Sequence, residues 1–246
     1  MKKIQTMEER VDQLRAAMLA RIPEQSSKKQ DLKPVKSVDY DRLFLEYKAS
    51  YMAFMNIKIP GFEVDEQNER QIDALVMYFA KHPDFLELDF IEKPSFEKGL
   101  MLLGGLGTGK TWSLWAFRSI GQFPIIPCHE IPMEVQKDDI PVLVKYGKKS
   151  YKMKEGLIRD IKRPLTKAFD DLGAEISNGF KSYGTDINVM RSILLARYEG
   201  FCQHGMITHL TTNFDANRIR EVYGDDIRSR FREMFNQILF EGEERR

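Results

Sequence analysis

The chain has 246 residues, 42% of them hydrophobic and 30% charged, with a mean hydropathy of −0.43, which gives room for one α/β domain of about 150 residues and an appendage. No run of roughly 18 apolar residues could span a membrane, and Lys2 and Lys3 precede acidic and polar residues instead of the apolar core of a signal peptide. A net charge of +1 excludes a wholesale polycation, so nucleic-acid binding would need a local patch, and the two cysteines, Cys128 and Cys202, lack metal or redox spacing and read as free thiols of a reducing, cytoplasmic compartment.

The first 21 residues read as a charged amphipathic helix, with Val11, Leu14 and Met18 at helical spacing, ended by Pro23. Glu24–Ser37 is polar, lysine-rich and broken by Pro34, so residues 23–38 form a linker. The stripe Tyr40, Phe44, Tyr47, Tyr51 and Phe54 predicts a helix over Tyr40–Met55. Asp65 stands as the cap of a third helix that turns Ile72, Leu75, Val76 and Phe79 inward before His82–Pro83. From Gly99 the texture changes to short apolar runs alternating with helical patterns, which predicts a parallel sheet. Strands are expected at Gly99–Leu103, Pro124–Cys128, Leu165–Phe169, Met206–Thr212 and Gln237–Phe240, with helices over Trp112–Ile120 and Asp186–Phe201. The domain reading is a helical N-terminal region over 1–90, serving as a partner-binding module or packing on the rest, followed by a P-loop domain over 91–246 with no separate lid.

Gly104-Gly105-Leu106-Gly107-Thr108-Gly109-Lys110-Thr111 fits G-x-x-x-x-G-K-[ST], between an apolar run and a helical pattern. Glycines let the loop curl until its N–H groups point at phosphate oxygens, and the helix N-terminus adds positive potential. Lys110 is then expected on the β- and γ-phosphates of ATP, and the Thr111 hydroxyl on Mg²⁺. Leu165–Phe169 delivers two carboxylates: Asp170 for Mg²⁺ and Asp171 to polarise the attacking water, with Glu175 as a rival base. Thr208–Thr212 ends in Asn213, as a hydrogen-bonding partner of the γ-phosphate and lytic water, as the N-cap of a helix over Asp215–Val222, or as both.

These strings resemble the AAA+ ATPases of the DnaC/DnaI helicase-loader and IstB transposition-helper group. Asp170-Asp171-Leu172-Gly173-Ala174-Glu175 is similar to its magnesium motif, Thr211-Thr212-Asn213-Phe214 to its sensor-1 strand, and Tyr223–Phe231 to the segment carrying its arginine finger. The resemblance covers roughly Gly99–Phe240 and implies an AAA+ α/β/α core with a five-stranded parallel sheet. It further implies self-association with ATP bound, Arg230 completing a neighbour's site, and a replicative helicase and single-stranded DNA as partners. Asp226 departs from the pattern, standing where relatives often carry an arginine, which makes Arg228 the alternative finger. Only Arg245 or Arg246 could supply a sensor arginine from the C-terminus.

Residues 145–167 are the most basic stretch, with Lys148, Lys149 and Lys152 among nine cations and Tyr146 and Tyr151 interleaved, a pattern suited to single strands. Three functions compete: a helicase loader, a transposition helper acting on duplex DNA, and an ATP-binding interaction module of negligible turnover. Asp171 in place of glutamate and the missing lid keep the third open.

Overall fold

The computed structural model describes residues 38–135, 139–147, 166–176 and 188–242. The helix expected over the first 21 residues, its linker, and Lys148, Lys149, Tyr151 and Lys152 lie outside them. Five strands pair in parallel in the order β2-β3-β4-β1-β5: β1 (Gly99–Gly104), β2 (Ile125–Pro127), β3 (Lys167–Leu172), β4 (Thr208–Thr212) and β5 (Phe235–Phe240). All five expected strands are present. The largest difference is β3, which starts two residues later than expected and runs on through Asp170, Asp171 and Leu172.

Parallel pairing forces each connection to cross over a face of the sheet, so both faces are covered and the strands are apolar on both sides. Strand alternation sorts the core into two clusters. Leu100, Leu102, Ala168, Ile238 and Phe240 pack under α1 (Tyr40–Lys58), α2 (Glu69–Ala80) and α3 (Lys110–Gly121). Met101, Phe169 and Leu210 pack under α4 (Ile131–Val135), α5 (Asp139–Gly147), α6 (Val189–His204), α7 (Ala216–Tyr223) and α8 (Asp225–Met234). The result is the expected three-layer α/β/α architecture.

The aromatic stripe of α1 is mostly core. Tyr51 and Met55 are buried, while Phe44, Tyr47 and Phe54 pack against the same cluster and only Tyr40 is exposed. Tyr51 stacks on Phe117 of α3 with centroids 5.7 Å apart, and its hydroxyl meets Ser113 Oγ at 2.9 Å. Asp65 does not cap α2: its carboxylate accepts the N–H groups of Gln67 and Asn68 in a turn, and the helix starts at Glu69. Asx side chains favour such local turns over helix entry when the next residues are polar. Asn188 caps α6 by accepting from Arg191 N, and Gly205 ends it in the left-handed region.

Candidate active site

The phosphate loop leads from β1 into α3. Gly104 has φ +141°, and a Cβ there would stand 2.1 Å from the Phe240 carbonyl oxygen, so only glycine lets the loop leave the sheet beside β5. Gly109 (φ +92°) is the N-cap of α3 and offers no side chain to occupy the helix's first N–H groups. They remain a set of donors at the positive end of a helix dipole. Lys110, the first residue of α3, folds back over the loop. Its Nζ donates to Gly104 O (2.8 Å), Gly105 O (2.6 Å), Asn213 Oδ1 (2.9 Å) and, more weakly, Thr108 Oγ1 (3.3 Å). Burial pushes the ammonium's pKa down, against the pull of Asp171 and Asp170. Thr108 Oγ1 donates to Gly105 O at 3.1 Å and braces the curl, while Leu106 projects from its tip.

Consecutive strand residues point to opposite faces, so Asp170 and Asp171 on a regular strand could not serve one site. The pairing of β3 with β4 breaks register between Phe169 and Leu172, and Asp171 sits at φ +57°. Aspartate tolerates this left-handed conformation better than most residues. The irregularity brings both carboxylates to the same edge, a role β-bulges often have beside active sites. Thr211 holds the arrangement: its Oγ1 accepts from Asp171 N at 2.7 Å and donates to Asp170 Oδ1 at 2.6 Å. Thr111 Oγ1 donates to the same Asp170 oxygen at 2.9 Å, tying α3 to β3.

Asn213 joins the two halves of the site. Its Oδ1 accepts from Lys110, and its Nδ2 donates to Asp171 Oδ1 at 2.8 Å. The helix-cap alternative is corrected: Asp215 caps α7, accepting from Arg218 N at 2.8 Å. Glu175 is also resolved by its contacts. It is buried, with Oε2 accepting from Gly173 N and Oε1 from the Tyr223 hydroxyl, so it is tied to α7 instead of facing the cavity. Burial raises the pKa of both Glu175 and Asp171, with Asp170 adding to the effect on Asp171.

Lys110, Thr111, Asp171, Thr211, Asn213 and the loop from Leu106 to Gly109 line a cavity of about 460 Å³. A further wall is formed by Lys58, Ile59 and Pro60 at the end of α1 together with Trp112. Lys58 Nζ lies 5.1 Å from the Trp112 ring centre. Sequence reasoning missed this wall and missed Thr211, although Pro60-Gly61 after an aromatic helix and the β-branched run before Asn213 were visible. A second cavity of about 660 Å³ shares Asn213 with the first and is also lined by Gly104, Gly105, Arg70, Phe90, Asp215 and Glu241.

Arg230 does not line either cavity; it lies on α8, paired with Asp226. Three described members of the basic stretch are structural. Tyr146 is buried with its hydroxyl on Glu134, Lys145 pairs with Glu134 at 2.9 Å, and Lys167 is buried and donates to Lys145 O. Tyr146 is thus closed to base stacking. Burial brings the Lys167 pKa down to about 8.

Thr111 and Asp170 offer two neighbouring oxygen ligands, which suit Mg²⁺. Among the described residues no group of three or more His, Cys, Asp or Glu side chains gathers to hold a metal. A cation here therefore fits as one shared with ligand phosphates, the usual arrangement for magnesium. Among the described residues no helix is long and apolar enough to cross a membrane.

The parallel sheet with helices on both faces and the glycine loop between β1 and α3 define an α/β fold with a P-loop. No protein-family model and no curated protein matches the chain. Among solved structures, the chain is similar to the DnaC helicase loader (TM-score 0.47, 15% identity, covering 77% of this chain and 99% of that one). It is also similar to DnaI (TM-score 0.45, 22% identity, covering 72% and 88%). The likeness is one of fold.

Proposed function

We propose that this chain is an ATP- and Mg²⁺-dependent switch that loads a replicative helicase onto single-stranded DNA in the cytoplasm, hydrolysing ATP slowly. The observation that carries the nucleotide reading is the convergence of Lys110, Thr111, Asp170, Asp171 and Asn213, from one helix, one strand and the end of a second strand, beside one glycine loop. The loop amides and Lys110 bind the β- and γ-phosphates. Thr111 and Asp170 hold Mg²⁺, which when bound neutralises phosphate charge. Asp171 orients the attacking water and accepts its proton, a task helped by its raised pKa. Asn213 holds Asp171 in place, and the adenine of the nucleotide lies against Ile59, Pro60 and Trp112 of the same cavity. The second cavity gives a neighbouring subunit access beside Asn213, where its Arg230 completes the site.

The loading role rests on the resemblance of residues 170–175, 211–214 and 223–231 to the loader strings. A switch of very low turnover is the second reading, favoured by the short Asp171 carboxylate being already engaged by Asn213. Calorimetry of Mg·ATP with the wild type and Lys110→Ala tests the site: the variant should lose binding while keeping its fold, and equal affinities would refute the nucleotide reading. ATP turnover with and without single-stranded DNA separates enzyme from passive switch. Recovery of a replicative helicase in a pull-down supports loading, whereas recovery of a transposase redirects the function to a transposition helper.

A further inference from the structure

Away from both cavities, α6 and α8 bring two arginines onto one carboxylate oxygen. Arg191 Nη2 donates to Asp226 Oδ2 at 2.8 Å, and Arg230 Nη1 donates to the same atom at 3.2 Å. Arg191 is itself anchored, its Nε donating to Tyr223 O at 3.0 Å. The Arg230 guanidinium lies over the Tyr198 ring, 5.0 Å from its centre, and the Tyr198 hydroxyl donates to Glu233 at 2.8 Å. The backbone makes room for this group: Gly224 has φ +96°, and a Cβ there would come within 2.8 Å of Asp226 Oδ1. All three ionic side chains remain partly exposed. Among the described residues Arg228, two positions from Arg230 on the same helix, makes no ion pair.

We propose that Asp226, braced by Arg191, is a positioning residue that holds Arg230 in the orientation in which it reaches the nucleotide of a second copy of this chain. The inference rests on the reading of Arg230 as a residue that acts in trans. An arginine side chain is long and has many rotamers, while its planar fork engages phosphate well only when aimed. One hydrogen bond to Asp226 and one ring face fix the aim at the cost of a single donor, and a guanidinium has five. The pair is monodentate and partly solvated, so it is too weak to sequester Arg230. Asp226 therefore orients the arginine and does not lock it away. Its departure from the arginine expected at this position exchanges a second cation for a carboxylate that organises two others.

The test uses full-length subunits mixed at concentrations where sedimentation shows assembly. The parent mixture combines Lys110→Ala, which offers Arg230 but cannot fire its own site, with Arg230→Ala, which has a sound site and no finger. Adding Asp226→Ala to the Lys110→Ala partner should lower turnover about 10- to 100-fold, the loss expected when a catalytic group is misplaced by an ångström or so. Adding it to the Arg230→Ala partner should leave turnover unchanged, and Asp226→Glu should restore part of the loss. A merely structural role would impair both mixtures equally and overturn the proposal. Faster turnover with Asp226→Ala in the finger-bearing partner would also overturn it, by showing that the ion pair restrains Arg230. A parent mixture that assembles but stays inactive refutes the trans reading of Arg230 and this proposal with it. An active parent mixture indifferent to Asp226→Ala refutes this proposal alone.

Discussion

Replacing Asn213 with alanine removes a side chain that bonds both the loop lysine and the candidate catalytic carboxylate. Both of its bonds involve a charged partner, at 2.9 Å to Lys110 and 2.8 Å to Asp171. Lys110 loses little, because Gly104 O, Gly105 O and Thr108 Oγ1 still surround its ammonium. Asp171 loses the donor that fixes its Oδ1. The side chain is exposed, so the cost in global stability should stay near 0.5 kcal/mol. Loss of a positioned donor at a reacting centre typically slows turnover about 10²–10³-fold, or ~2.7–4 kcal/mol. Single-turnover hydrolysis and calorimetry should therefore show ATP affinity within about threefold of wild type and turnover down by roughly two orders of magnitude. Asn213→Asp keeps the acceptor for Lys110 but replaces the donor by a charge facing Asp171, and should be equally slow. A loss confined to affinity, or an active Asn213→Asp, would refute the assignment.

Asp171→Asn should retain Mg·ATP binding and abolish hydrolysis, while Glu175→Gln should hydrolyse ATP but unfold at lower denaturant, since it weakens the buried contact with Tyr223; the reverse pattern in both assays would move the base to Glu175. His209 is fully buried, accepts from Leu100 N, and has its pKa pushed down to about 3 by burial, with Lys81 and Arg197 adding to it. Between about pH 6.5 and 3 the unfolded chain therefore binds the extra proton, so His209 makes stability rise with pH in that window, by up to about 1.4 kcal/mol per unit. Urea unfolding from pH 6.5 down to 4.5 should show a steeper fall for the wild type than for His209→Asn, and equal slopes would contradict a neutral buried imidazole. Removing residues 1–38 should leave Mg·ATP affinity unchanged in calorimetry, whereas removing residues 1–90 should leave no cooperative unfolding transition.

Much of the site was legible because phosphate binding by backbone demands glycines, one lysine and one hydroxyl at fixed spacing, and a strand ending in carboxylates or an amide marks the ligand edge of a parallel sheet. The five strands were legible for a related reason, since burial on both faces favours short apolar and β-branched runs, unbroken in Leu100–Leu103 and interrupted by Lys167 in β3. What the sequence hid depends on geometry with no local signature. Periodicity would have put Asp170 and Asp171 on opposite faces, and only the register break and Asp171's φ of +57° bring them together. Glu175, several residues beyond the strand, stood as a rival base, and only the contact with Tyr223, 48 residues further on, ties it elsewhere. Tyr146 and Lys167 read as part of a solvent-facing cationic stretch, yet a tyrosine and a lysine with a long apolar stem can equally be core, and here both are buried. Asp65 and Asp215 carry the same side chain before helical patterns, and one makes a turn while the other makes a cap.

The helices over residues 40–80 have no motif, but the packing makes them part of the phosphate site. Tyr51, Met55, Ile72, Leu75, Val76 and Phe85 lie in one cluster with Leu100 and Leu102 of β1 and with Leu114 and Phe117 of α3. Each such side chain contributes about 1.5–3 kcal/mol on burial. Six of them approach or exceed the ~5–15 kcal/mol by which a whole domain is stable. The strands of the phosphate loop could not keep a fold with that face open to water. The link is also specific. The Tyr51 hydroxyl meets Ser113 Oγ, which donates to Gly109 O at 2.9 Å, and Met55 Cε reaches to 3.9 Å from where a Cβ of Gly109 would stand. At the end of the same helix, Lys58, Ile59 and Pro60 line the same cavity as the loop. A shift of α1 along its axis would therefore move the cap of α3 and this part of the cavity lining together.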